Sequence, residues 1–353
     1  MVSVIIPVYN TGRNLEKCFE SILSQTYREW ECIVVNDCST DIVTMGIMNR
    51  WRENPSNLIF IDKQTNEGVD RARFTGLSVA KGDFIFFVDS DDWLEKDALE
   101  IMVEKAEETG ADMVVGRAYT NYYISGLLKT ESLLPAEWME RIILHDELMD
   151  KYYMSFFGYN ILPVNVWATL YRRELIEEAQ LEPCGLSLGE DLVFNMRIFP
   201  YVRKYFAINR FVYHYRVCLP GLTNKYRDSW LENVLKLYAH KMFSIEKTGY
   251  EKAVFSQEVE LVNYLKTYVN GCIKYRSEKR NENIDLLYKE LGESICKGLV
   301  VLMDSSYEDK DVVTCLVQGD ATAFYELIER RYKNKPLYQK LLDRIARIVK
   351  SFL

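Results

Sequence analysis

None of the eight cysteines forms a CxxC pair, and only three histidines are present. The missing pairs remove both the spacing of a structural zinc site and the pattern of a disulfide scaffold. Cys18, Cys32, Cys38, Cys184, Cys218, Cys272, Cys296 and Cys315 are therefore expected to be reduced thiols of a cytoplasmic protein. No apolar run approaches the ~20 residues of a spanning helix. The opening MVSVIIPVYN has no basic segment before its short apolar run, so it reads as a strand and neither as a signal peptide nor as an anchor. Positive charge is in deficit: 44 Lys and Arg against 52 Asp and Glu leave −8. That balance argues against nucleic acid as a partner. Internal repeats and low-complexity linkers are absent.

What is present suits a large globular chain. Apolar residues make up 48% and charged residues 27%, so a sizeable core can be buried. At 353 residues the chain is well beyond the ~150-residue domain prior, which predicts two domains or one with an appendage.

Apolar runs of strand length alternate with segments of helical period over the first 115 residues. Ser3 to Val8 precedes a helix over Asn14 to Gln25. Cys32 to Val35 precedes one after Asp41, Leu58 to Ile61 one over Val69 to Ala80, and Phe84 to Val88 one over Lys96 to Thr109, before a fifth stretch at Asp112 to Val115. Continuous apolar strands separated by helices predict an α/β fold, a Rossmann-like and mostly parallel sheet covered on both faces. Ligands of such sheets bind beyond the carboxyl ends of the strands. A hairpin is expected over Ala118 to Leu128, turning at Ser125-Gly126, with short helices over Glu137 to Met149 and Arg173 to Ala179. Beyond Lys225 the nearly proline-free sequence has helical period. The expected division is 1–225, with halves 1–115 and 116–225, followed by a helical region 226–353.

Three strand ends carry chemistry. After Phe84 to Val88 come Asp89, Ser90, Asp91 and Asp92; carboxylates this close repel one another unless a cation joins them. Mg²⁺ or Mn²⁺ fits, because such ions are held by one or two carboxylates while substrate phosphates complete the shell. The alternative is a solvated loop in which Asp92 caps the next helix. At the second strand's end, Asp41 or Ser39 is placed to cap a helix, whereas Asp37 is placed as a fixed acceptor for the imide N–H of uracil or thymine. The first strand ends in Pro7-Val8-Tyr9-Asn10, where Tyr9 can stack on a base or serve as ordinary packing.

Together VIIPVYN, IVVNDCSTD and NEGVDRARFTGLSVAKGDFIFFVDSDDW resemble the nucleotide-sugar-binding half of the family 2 inverting glycosyltransferases of GT-A fold, over residues 1 to about 115. The resemblance implies that Pro7, Tyr9, Asn10, Asp37, Arg73 and Asp89 bind the nucleotide. It also implies that Asp91, with Asp89, holds Mn²⁺ or Mg²⁺ against the diphosphate of a UDP-sugar. Asn36 stands where the family has a first aspartate, and Phe74 where asparagine is common. Arg71, about 200° from Arg73 on a helix, faces water or is a second basic candidate.

Gly189-Glu190-Asp191 puts two acids before an apolar helical run, which a helix N-terminus favours by itself. In the family this position is an ED motif, which implies Asp191 as catalytic base and Glu190 as its neighbour in the acceptor site. Trp167 to Arg173, and Tyr213 to Arg216 with Pro220 to Thr223, also resemble bacterial members. His214 there is a candidate metal ligand or, alternatively, a satisfied structural histidine.

The implied reaction is in-line displacement of a nucleoside diphosphate by a hydroxyl of a glycan or lipid-linked glycan, with inversion. A silent nucleotide-sugar-binding or assembly protein and a sugar nucleotidyltransferase are the alternatives. The second usually needs a glycine-rich phosphate loop, and VYNTGRN has one glycine. Residues 330 to 353 carry eight Lys or Arg against one Asp. Leu337, Leu341, Ile345, Ile348 and Phe352 form a stripe flanked by basic residues. Such a helix over 336–353 suits an anionic membrane surface, which the resemblance to bacterial members implies is the inner face of the cytoplasmic membrane. It suits equally its own helical region or a second copy in a homo-oligomer.

Overall fold

The computed structural model describes residues 1–53, 57–123, 127–131, 138–159, 161–217, 229–303 and 305–334. The expected turn at Ser125-Gly126, Pro220 to Thr223 and the basic helix 336–353 lie outside the described residues. The chain divides into two compact units, Met1–Gly221 and Leu222–Leu353.

The first unit begins with three strand–helix repeats and a fourth strand: β1 (Val2–Val8), α1 (Asn14–Leu23), β2 (Trp30–Asn36), α2 (Ile42–Arg52), β3 (Leu58–Asp62), α3 (Val69–Leu77) and β4 (Phe84–Phe87). It continues through β5 (Trp93–Leu94), α4 (Ala98–Thr109), β6 (Met113–Tyr123), β7 (Leu127–Glu131), β8 (Ile142–Leu144), α5 (His145–Glu147), β9 (Thr169–Arg172), α6 (Arg173–Ala179), α7 (Glu190–Ile198) and β10 (Lys204–Val217). One sheet takes them all in the order β3-β2-β1-β4-β9-β6-β10-β5, with β7 beside β6 and β8 beside β10. β3, β2, β1 and β4 run parallel, and β1 and β4 are buried along their length, as continuous apolar strands require. Beyond β4 the sheet is mixed: β9 is antiparallel to β4 and β6, while β10 pairs parallel with β6.

One expected element differs. Of Glu137 to Met149, read as helix, Ile142–Leu144 is instead a strand antiparallel to β10, and helix begins only at His145. Three adjacent apolar residues satisfy neither period by themselves, so pairing with Lys204 to Phe206 decides the outcome.

Helix α3 lies close on β1. A Cβ at Gly76 would meet Cγ2 of Ile5 at 2.5 Å, so only glycine permits this approach.

The second unit is helical: α8 (Trp230–Thr248), α9 (Val254–Tyr275), α10 (Arg280–Glu290), α11 (Glu293–Gly298), α12 (Lys310–Val317) and α13 (Ala321–Asn334). Its core gathers Leu261, Leu265, Val269, Leu287, Leu316 and Phe324. Between α8 and α9 the buried Lys241 pairs with Glu260 at 2.5 Å. No helix among the described residues is long and apolar enough to cross a membrane.

Candidate active site

The carboxyl ends of β1, β2 and β4 meet through side chains of their loops. Asn10, in the left-handed region at φ 49°, accepts the N–H groups of Thr40 (2.8 Å) and Asp41 (2.9 Å) on its Oδ1. Its own N–H donates to Ser39 Oγ. The hydroxyls of Thr11 and Ser90 bond at 2.6 Å, tying the first loop to the acidic turn. Pro7 is buried in β1 opposite Val35, whereas Tyr9 is 50% exposed. Asp41 caps α2 by accepting Thr44 N–H, which gives that residue its structural role. Asn36, the departure from the family pattern, donates to Asp62 (2.9 Å) and accepts Ser39 N–H (2.9 Å), so it closes the loop that carries Asp37.

Asp37 is buried at the end of β2. Its Oδ1 accepts the N–H of Glu67 (3.0 Å) and its Oδ2 that of Gly68 (2.7 Å), at the start of α3. Lys63, which the sequence reading passed over, places its ammonium 2.9 Å from Oδ1. A charged residue before Asn66-Glu67-Gly68 carries no signal that it will turn inward, so only the fold reveals it.

In the acidic turn the three carboxylates separate in role. Asp92 does not cap the next helix, whose N-cap position is Asp97. The buried Asp92 carboxylate accepts Tyr213 O–H (2.8 Å) on Oδ2 and Arg216 N–H (2.7 Å) on Oδ1. The Tyr213 oxygen in turn accepts Asp89 N–H (3.0 Å), and Arg216 Nε donates to the Asp91 carbonyl (2.7 Å). Strand β10 thus braces the turn from the far side. Asp89 accepts Arg73 Nη2 at 2.8 Å. Asp91 finds no donor among the described residues besides its own N–H, and burial, followed by the charge of Asp89, pushes its carboxyl up to about 6. A half-buried acid raised in this way, with the Arg216 charge only partly opposing the rise, is one that a divalent cation would relieve. No group of three or more ligand side chains is assembled among the described residues.

Gly189, at φ 91°, turns the chain into α7, whose first residues are Glu190 and Asp191. Arg73, projecting from α3, meets both ends of the site. Nη1 holds Asp191 and lies 3.6 Å from Glu190, while Nη2 holds Asp89. Asp191 Oδ2 also accepts Val166 N–H at 3.3 Å. Burial raises the Asp191 carboxyl, and the Arg73 charge opposes that rise. Glu190 is pushed up to about 7 by burial and by the adjacent Asp191. Phe74, the second departure from the pattern, packs edge-on against Phe194 of α7 at 6.2 Å, which joins the helices that carry Arg73 and Asp191. Arg71 is exposed, as its angular offset from Arg73 requires.

His214, expected either as a metal ligand or as a satisfied structural histidine, makes the contacts of the second. Its Nε2 pairs with Glu95 at 2.7 Å and its Nδ1 faces the Asn121 amide at 3.4 Å. The ring is sandwiched between Trp93 (4.6 Å) and Tyr119 (4.9 Å), so both nitrogens are committed within the protein. Trp167 stacks on Tyr213 (5.0 Å) and Tyr215 (5.3 Å), a second aromatic layer beside the acidic turn.

This arrangement can hold a diphosphate through a cation at one end and accept a proton at the other. Comparison with known proteins gives the family. The chain is 29% identical to the glycosyltransferase GlyA of Streptococcus pneumoniae over 89% of its own length, and spans 45% of GlyA. It is 28% identical to the glycosyltransferase GlyG of the same organism, over 82% of this chain and 94% of GlyG. The crystal structure of Staphylococcus aureus TarS 1-349 in complex with UDP-GlcNAc shares the fold, with a TM-score of 0.64 at 18% identity over 95% of this chain and 93% of that one. The family model of glycosyl transferase family 2 matches residues 3–179, half of the sequence, and with the paired acidic sites this identifies the chain as a member of that family.

Proposed function

We propose that the chain moves a sugar from a nucleoside diphosphate, by preference UDP, to a hydroxyl of a glycan or lipid-linked glycan, with inversion at the anomeric carbon. The observation that carries this reading is Arg73, whose one guanidinium touches Asp89 after β4 and Asp191 in α7. The donor end and the base end of the site therefore lie within the span of a single side chain.

A sugar hydroxyl is a weak nucleophile near neutral pH, so a carboxylate must take its proton as attack develops. Asp191 fills that role: Arg73 favours its ionised form, and Val166 N–H together with Arg73 fixes its orientation. Glu190, whose protonated form is favoured by burial and by the adjacent Asp191, can donate to an acceptor oxygen beside it. Asp37 takes the base imide N–H, with Tyr9 exposed to stack and with Pro7 and Asn10 shaping the loop. The Nε of Arg73 is buried without an acceptor among the described residues, a donor in keeping with a nucleotide contact. Mn²⁺ or Mg²⁺ at Asp91 and Asp89 would act as a Lewis acid on the charge gathering at the departing diphosphate. Base and acidic turn on separate elements favour one displacement without a covalent sugar intermediate. The UDP-GlcNAc bound by TarS supports a uridine donor.

The test is a panel of nucleotide sugars with Mn²⁺, read by thermal shift and nucleotide release, followed by NMR of the product anomer. UDP-sugars should stabilise the chain and yield the inverted configuration. No response to any nucleotide sugar, or retained configuration, would refute the reading.

A further inference from the structure

Asp70 is buried near the start of α3 and has no part in the chemistry above. Its Oδ2 accepts two successive backbone N–H groups, those of Cys184 (2.6 Å) and Gly185 (3.2 Å). Successive N–H groups that converge in this way make a concave anion site, and Gly185 has the left-handed conformation, at φ 69°, that such a turn uses. Here a carboxylate of the same protein fills it. Both donors lie on the segment between α6 and α7, which leads through Gly189 into Glu190 and Asp191. Burial, and then the charge of Asp70, pushes the Cys184 thiol up to about 12, so it stays protonated beside that carboxylate.

The next turn of α3 carries Arg73, which holds Asp191, and Phe74, which packs against Phe194 of α7. Residues at i, i+3 and i+4 share one face of a helix. That face of α3 therefore grips the chain before α7, the first turn of α7 and its side. An ion pair fixes the ends of two side chains, whereas hydrogen bonds to backbone N–H groups fix the path of the chain itself.

We propose that Asp70 is a positioning residue for the base: by pinning the backbone at Cys184 and Gly185 to the helix that carries Arg73, it sets where Asp191 stands relative to the acidic turn. The proposal rests on the reading of Asp191 as the base. Proton transfer depends on alignment, and a displacement of about 1 Å can cost a hundredfold in rate. The nucleotide is proposed to be held by Asp37 and the acidic turn, whereas Asp70 holds the segment before α7. Its loss should therefore separate turnover from nucleotide affinity.

The experiment compares the wild-type chain with Asp70→Ala, Asp70→Asn and Asp191→Asn. Calorimetry reads UDP affinity at fixed Mn²⁺. Kinetics read release of UDP from the UDP-sugar that the panel selects, with water as the acceptor, well below each melting temperature. Asp70→Ala should lower kcat by about ten- to a hundredfold while KM and UDP affinity stay within about twofold. Asp70→Asn keeps a carbonyl oxygen for both N–H groups and should stay near the wild-type kcat. A wild-type kcat in a folded Asp70→Ala chain leaves the residue a structural role only and overturns the proposal, as does a loss of UDP affinity that accounts for the lost turnover. If Asp70→Ala does not melt cooperatively, Asp70→Asn decides: a fall of about tenfold or more there makes the charge matter and not the hydrogen bonds, which also overturns it. Full turnover in Asp191→Asn removes instead the reading of the base on which the proposal rests.

Discussion

Arg73 holds Asp191 although 118 residues separate them, and the same guanidinium reaches Asp89. A buried cation shared by three acids is costly to desolvate, and losing either partner leaves an uncompensated charge. On the proposed function, this pairing holds the donor end and the base end of the site together.

Asp191→Asn keeps the shape and the hydrogen-bonding edge toward Val166 but cannot take a proton. Transfer should fall by about two to four orders of magnitude while UDP affinity persists. Rate measurement at saturating donor alongside calorimetry checks this, and full activity in the variant would remove the assignment of the base.

Asp91→Ala removes the acid left without a donor partner in the turn. The part of UDP affinity that depends on Mn²⁺ should vanish, and titrations with and without Mn²⁺ should then coincide. A variant that still responds to the metal would place the ion elsewhere.

His214→Gln tests the withdrawal of that residue from the metal set. Since both ring nitrogens are engaged by Glu95 and Asn121, the variant should retain metal-dependent UDP binding while melting at a lower temperature. Loss of the metal response with an unchanged melting temperature would restore His214 as a ligand.

Glu190 carries a pH signature. Its folded carboxyl is pushed up to about 7 from an ordinary 4.5, so the fold disfavours its ionised form. The wild type should therefore lose stability from this group as pH rises from 4.5 through 7. Glu190→Gln does not titrate, so it should gain on the wild type across that window. Each pH unit of displacement is worth about 1.4 kcal/mol. Urea melts of both chains at pH 4.5, 5.5 and 7 read the crossover, and parallel curves would deny the displacement.

The first half of the fold was legible because buried parallel strands are unbroken apolar runs and each is followed by a helical period. Asp37, Asp89 and Asp91 fall just beyond the ends of β2 and β4, and Arg73 lies midway along α3, so motif and topology agreed. Asp92, read as a possible helix cap, was missed as a brace because its partner, Tyr213, lies 121 residues away and nothing local tells a capping carboxylate from one that faces a tyrosine. Lys63 escaped for a similar reason: a lysine in a polar loop looks solvated until β2 and β3 bring it under Asp37. The strand Ile142–Leu144 was hidden because three apolar residues suit helix and strand alike.

Gly76 bears no functional group, yet it sits one turn along α3 from Arg73. Any larger residue there must push the helix away from Ile5, and the displaced helix would carry the guanidinium out of register with the acids it joins. Loss of turnover from so plain a substitution would then be a lever effect, transmitted along one rigid rod from a steric clash under the sheet to the reacting groups above it.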